Sequence, residues 1–179
     1  TWLRRQRQMC IRDSINSFSV SANNRHIAFA SRATNLTADT VVGNNGYLYD
    51  NVSGTFQVFT VKPNGQVTTD NQSRGPSSIS VSNQGQVAHV SRQTDLVSND
   101  NNGQSDLFLF NGSQNIRLNL DENGHEITDP NVNSVIISAD GTRVIFSDTS
   151  ALLPGDTNGI QDVYTYCLLY TSPSPRDDI

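Results

Sequence analysis

The side chains best placed to do chemistry are the oxygen-bearing residues of two short loops. One reads Asp100-Asn101-Asn102-Gly103-Gln104-Ser105-Asp106 and the other Asp156-Thr157-Asn158-Gly159-Ile160-Gln161-Asp162. In each, side-chain oxygens fall at loop positions one, three and seven, and a glycine at position four allows a sharp turn. A hard cation such as calcium is wrapped in this way, with Asp100, Asn102 and Asp106 as ligands in the first loop and Asp156, Asn158 and Asp162 in the second. Three side chains alone are too few. Backbone carbonyls and water would have to complete roughly six to eight oxygens, with an affinity of about 10⁻⁴ to 10⁻³ M. A third version, Asp39-Thr40-Val41-Val42-Gly43-Asn44-Asn45, lacks the oxygen at position three. The same spelling builds a rigid loop without any ion, because Asp and Asn accept hydrogen bonds from nearby amides and tolerate positive φ. The ion-free loop is the first expectation, calcium is an optional accessory, and no other cofactor is expected.

Other reactive arrangements are missing from the sequence. It has no glycine-rich phosphate loop followed by Lys, no Cys or His pair at metal spacing and no Gly-x-Ser-x-Gly turn. Carboxylates are numerous but scattered over turns, so no general acid/base pair stands out. His89 falls where related segments carry Phe29 and Phe146, the position of a satisfied, partly buried histidine rather than a catalytic one. His125-Glu126 follows the Asn123-Gly124 turn and is expected to decorate a connecting loop. Glycosylation sequons begin at Asn35, Asn51, Asn71 and Asn111, a chance outcome in so Asn- and Ser-rich a chain.

The elements that must position these loops come from internal repetition. Ser17-Phe18-Ser19-Val20-Ser21 overlies Ser78-Ile79-Ser80-Val81-Ser82 and Ser134-Val135-Ile136-Ile137-Ser138. Further along, Ile27-Ala28-Phe29 meets Val87-Ala88-His89 and Val144-Ile145-Phe146, and Tyr47-Leu48-Tyr49 meets Phe108-Leu109-Phe110 and Tyr164-Thr165-Tyr166. Three copies at a period near 58 define a repeat architecture. Within a unit, apolar residues alternate over four to six positions between turn residues, the pattern of strands. The second unit parses as strands at 78–81, 86–91, 106–110 and 116–120, with Asn111-Gly112 as a tight hairpin turn; in the first unit Ser53-Gly54 takes that turn and 57–61 the last strand. Four antiparallel strands per repeat make the blade of a β-propeller. The expected fold is therefore all-β: a partial propeller of about three four-stranded blades, at 15–72, 73–129 and an incomplete 130–166. The aromatic pairs, two residues apart, share a strand face and are expected to pack against a neighbouring blade.

Ser138-Ala139-Asp140-Gly141-Thr142-Arg143-Val144-Ile145-Phe146-Ser147 resembles the strand-turn-strand signature of the TolB-like, WD-repeat-like bacterial propellers. Gly155-Asp156-Thr157-Asn158-Gly159 through Asp162-Val163-Tyr164 is similar to a loop of a subgroup that is mostly exported. The resemblance spans 15–166 and implies an exported protein, periplasmic, cell-surface or secreted. It implies little about activity, since such propellers serve as docking platforms, as gating domains of serine peptidases and as modules of surface proteins. Asn23-Asn24 and Gln84-Gly85 stand where the signature has Asp-Gly, and keep turn character.

The two ends read differently. Residues 1–14, with Met9-Cys10-Ile11-Arg12-Asp13-Ser14, and residues 167–179, opening Cys167-Leu168-Leu169-Tyr170-Thr171-Ser172, match reading frames of sequencing-adapter DNA and are expected to be non-native. Of 179 residues with 12 basic and 17 acidic side chains, these ends hold five basic and three acidic, leaving 12 − 5 = 7 against 17 − 3 = 14, a net −7. That balance, with Lys62 the single lysine, argues against a nucleic-acid partner, and no run is apolar enough to span a membrane as a helix. The expected function is a non-enzymatic binding or scaffold module that meets a protein or glycan through one loop rim, with further blades of the propeller outside the fragment. The alternatives are an accessory or gating propeller of a hydrolase, or a repeat of a surface adhesin.

Overall fold

A computed structural model describes residues 17–70 and 75–168. Residues 1–14 and Asn71 lie outside them, and of the C-terminal stretch only Cys167 and Leu168 fall inside. The chain forms eleven described strands and, among the described residues, no helix. They make three antiparallel meanders: β1 (Phe18–Val20), β2 (His26–Ser31), β3 (Asn45–Asp50) and β4 (Thr55–Val58); β5 (Ile79–Val81), β6 (Val87–Ser91), β7 (Asp106–Phe110) and β8 (Asn115–Arg117); and β9 (Ser134–Ile137), β10 (Arg143–Asp148) and β11 (Asp162–Cys167). This is the expected partial propeller, with sheets of four, four and three strands.

Each meander opens on the same local device. A serine hydroxyl accepts an amide five or four residues on (His26 N to Ser21, Gln86 N to Ser82, Arg143 N to Ser138), and the turn between passes through positive φ at Asn24 (58°), Gly85 (84°) or Gly141 (69°). Glycine meets that φ at no steric cost, and asparagine is among the side chains that tolerate it. The innermost strands are then stitched to one another: Val81 N donates to Ser19 Oγ, Val135 N to Ser78 Oγ and Ile137 N to Ser80 Oγ.

Two features of the sequence parse are corrected. The hairpin at Asn111-Gly112 is a four-residue loop, since Phe110 pairs with Asn115 and the Asn111 carboxamide oxygen accepts the Ser113 and Gln114 amides. The loop between β3 and β4 has the same length, with Asp50 accepting the Val52 amide. The fourth strands begin earlier and end sooner than expected, because a side chain replaces a backbone partner: Thr60 Oγ1 accepts the Gly46 amide, and Asn119 Oδ1 accepts the Leu107 amide.

The sheets pack face to face. Ala28, Ala30, Leu48, Phe59 and Val61 of the first meet Ile79, Val81, Val87 and Phe110 of the second. Ala88, Val90, Leu107, Leu109 and Leu118 of the second meet Val135, Ile137, Val144 and Phe146 of the third. Only in the second sheet does the whole aromatic pair behave as expected. Phe108 and Phe110 are fully buried, whereas Tyr166 is 43% exposed and Tyr47, on the outward face of the first sheet, is covered by its own loop through a bond to Ala33 O.

Candidate functional site

The loop from β6 to β7 is shaped by its own side chains. Asn102 Oδ1 accepts the Gln104 amide at 2.7 Å, its Nδ2 donates to Ile127 O, and Gly103 turns the chain at φ 65°. Asn102, named from the spacing as a cation ligand, thus serves the loop backbone with its oxygen. Asn158 is placed in the same way: its Oδ1 accepts the Ile160 amide at 2.6 Å beside Gly159 at φ 65°.

Asp100 and Asp106 do come together, and Glu126 joins them. One carboxylate oxygen of each lies within 4.8 Å of the others. Asp106 opens β7 and is fully buried, its Oδ1 accepting Asn119 Nδ2 at 2.7 Å. Glu126 reaches back from the bridge it forms with Leu120 and accepts the amides of Asn101 and Asn102. At the centre lies Arg117, 5% exposed, whose Nη1 faces Asp106 and Glu126 and whose Nη2 donates to Asn99 O at 2.7 Å. Three carboxylates around one guanidinium leave the pocket two charges negative when all are ionised. Neither carboxylate oxygen of Asp100 is exposed or completes a hydrogen bond. Burial, then the neighbouring Asp106 charge, push its pKa up to about 6. Burial also raises Asp106. For Glu126 the cost of burial is outweighed by the bonds from Arg117 and the Asn101 amide, and its pKa falls.

The third sheet spells the same loop and wires it differently. Asp156 Oδ2 lies 2.7 Å from the Tyr164 hydroxyl, which also reaches Ser150 O. Burial, then Asp156, push that phenol up to about 12. Asp162 opens β11 opposite Asp148, and among the described residues no third His, Cys, Asp or Glu gathers with Asp156 and Asp162. In the first sheet the position of Asp106 is Asn45, which accepts the Thr60 hydroxyl as Asp106 accepts Asn119. That position first serves a structural clip between the third and fourth strands.

Arg117 and Glu126 were missed in the sequence. Arg117 carries a signal, a charge on the strand face where the first unit has Val58; Glu126 carries none, since its approach depends on the hairpin closed by Leu120. His89 is fully buried where partial burial was expected, its Nε2 3.0 Å from Asn115 Oδ1, its Nδ1 without a hydrogen-bond partner and its ring beside those of Phe59 and Phe108. Burial lowers its pKa to about 4, against the opposing bond from Asn115.

Hydrogen bonds chain the loops of successive sheets along one rim: Gln93 Nε2 to Asn44 O, Thr94 N to Asp70, Thr69 N to Asp95, Asn102 Nδ2 to Ile127 O and Ser150 Oγ to Asp129 O. These segments carry Asp39, Asp70, Asp95, Asp100, Glu126, Asp129 and Asp156 against Arg32 and Arg92, with Lys62 beside Asp95 and the buried Arg117 beside Glu126. No described helix is long and apolar enough to cross a membrane.

No family model matches the chain, and no curated protein matches it. Among solved structures, it is similar to a Pseudomonas aeruginosa periplasmic gluconolactonase at 16% identity and TM-score 0.37, over 85% of this chain and 39% of that one. A Kuenenia stuttgartiensis hydrazine synthase matches at 16% identity and TM-score 0.36, over 73% and 39%, and a Bacteroides thetaiotaomicron protein of unknown function at 10% and 0.35, over 76% and 45%. The chain spans less than half the length of each of these proteins.

Proposed function

We propose that this chain is a non-enzymatic propeller module that binds a cationic protein partner through its loop rim. The observation that carries this reading is the rim itself: five connected loop segments with seven carboxylates against Arg32, Arg92, the Lys62 that pairs with Asp95 and the buried Arg117 that pairs with Glu126, held in place by backbone and side-chain hydrogen bonds. Such a surface raises the encounter rate of a positively charged partner and fixes its orientation. The dense titratable cluster supports scaffolding in this reading, because Arg117, Asp106 and Glu126 tie three chain segments together. Export, implied by the family resemblance, would place the rim among extracytoplasmic partners.

The test removes one charge at a time and measures binding of a fluorescent oligo-arginine peptide. Asp39→Asn and Asp129→Asn, both exposed on the rim, are expected to weaken binding about threefold or more, and Asp140→Asn on the opposite rim to leave it nearly unchanged. Equal effects from all three would reduce the reading to net charge and overturn it. A second reading, a calcium ion held as an accessory by Asp100, Asp106 and Glu126, is favoured by the shielded, unbonded Asp100 carboxylate. It expects Tm to rise in about 5 mM calcium, a concentration above the weak range for such sites. An unchanged Tm removes it.

A further inference from the structure

We propose that the cleft between the first and second sheets, on the rim of the hairpin turns, binds a small neutral ligand rich in hydroxyl groups, of the size of one sugar ring. The cleft holds about 200 Å³. Strand register builds one wall: His26 pairs with Asp50 and Asp50 with Thr55, so the three side chains share a sheet face with Leu48 and Gln57. Gln84, Gly85 and Gly112 of the second repeat form the other side, and Gln57 Nε2 donates to Gly112 O between the two. His26 is 7% exposed, its Nδ1 has no hydrogen-bond partner among the described residues, and its ring lies over Gly85, where a Cβ would stand 3.1 Å from Nε2. A buried polar nitrogen without a partner is costly, and a ligand that bonds the imidazole removes that cost. The same position in the second sheet is Gln86, whose Oε1 accepts the Ser82 hydroxyl and fills the space over Gly141. One interface satisfies its polar group internally, and the other leaves it to a ligand.

The lining sets the class of that ligand. Asp50 is neutralised by Arg25, with Nη2 2.8 Å from Oδ2, so a charged molecule meets no uncompensated opposite charge. Asp50 also accepts the Val52 amide, which leaves it a poor partner for His26 in holding a metal ion. An apolar molecule would strand the imidazole and the carboxamides of Gln57 and Gln84. A hydroxyl both donates and accepts, as these groups require. The cleft lies on the rim opposite the acidic loops, so this inference is independent of a cationic partner.

The test follows the imidazole signals of the three histidines in NMR spectra of the full chain at constant neutral pH. D-glucose and D-galactose are the probes, with acetate and methylammonium as charged controls. About a dozen non-hydrogen atoms at the efficiency typical of small ligands correspond to a Kd of about 1 to 10 mM. At least one sugar is expected to move the His26 signals saturably in that range and to leave those of exposed His125 in place. Saturation transfer to the sugar protons measures the same binding in variants, and circular dichroism checks that each keeps the β fold. His26→Phe, which removes the ring nitrogens, and Gln57→Leu, at an exposed position, are each expected to weaken binding about tenfold, with His26→Gln recovering part of the loss. His26 signals that neither sugar moves, that acetate or methylammonium moves as strongly, or sugar binding that either folded variant leaves intact would overturn the proposal.

Discussion

The second and third sheets spell the same loop between their middle strands and bend it with the same Asn and Gly, yet one is wired with charges and the other with a phenol. Asp100 faces Asp106, Glu126 and Arg117, while Asp156 faces the Tyr164 hydroxyl. The difference extends to the centre of the strands, where His89 occupies the place of Phe146. A repeat thus fixes the backbone path of a loop, and the neighbours brought by the following strand and connection fix its electrostatics.

The largest way to break the comparison is to remove its central cation. Arg117→Met is expected to cost about 3 to 5 kcal/mol in urea unfolding, because it leaves buried Asp106 and half-buried Glu126 without their partner. A loss under 1 kcal/mol would mean that solvent already compensates these carboxylates, a threshold set by the typical worth of an exposed ion pair, about 0 to 1 kcal/mol.

Next comes the pH dependence of the second sheet. The imidazole of His89 holds its proton only below about pH 4, against about 6.5 in the unfolded chain. Between these values the unfolded state binds more protons, so stability is fully present above about pH 6.5 and falls as the pH drops toward 4, by about 3 kcal/mol. His89→Phe, which makes the second sheet resemble the third, is expected to flatten that segment of the profile. An unaltered slope would place its origin elsewhere.

Asp100 has the opposite sign. Its carboxyl titrates at about 6 when folded against 3.8 when unfolded, so the folded state binds more protons in that window and loses stability as pH rises through it. After discounting for partial exposure, Asp100→Asn is expected to raise the unfolding free energy by about 1 kcal/mol near neutral pH in calcium-free buffer. A destabilised variant under those conditions would contradict the strained-carboxylate picture.

The smallest effect belongs to the third sheet. Asp156→Asn weakens the partner of the Tyr164 hydroxyl and is expected to cost about 1 kcal/mol or less, with the phenol moving down toward its ordinary range in an ultraviolet pH titration. A phenol that stays near 12 would assign its shift to burial alone.

Much of this was legible beforehand. The serines, the Asn24, Gly85 and Gly141 turns and the alternating apolar residues announced strands and their order, because φ preferences and two-residue periodicity are local properties. The four-residue hairpins were not, since a carboxamide or carboxylate that captures two amides is a choice among competing local bonds. The site was half legible. Asp100 and Asp106 were named from spacing, while Arg117 and Glu126 arrive from 11 to 26 residues away and are set by register.

The sequence by itself determined the repeat, the all-β class, the turns that follow the first strand of each unit and the acidic balance of the chain. Only the tertiary structure decided which oxygens remain open, because an Asn that bends its own loop and an Asp left unbonded in a pocket have the same spelling. It also decided which apolar faces are covered. Burial depends on whether a neighbouring sheet lies within contact distance, and Val81 and Val20, the same residue in the same repeat position, differ in that respect alone.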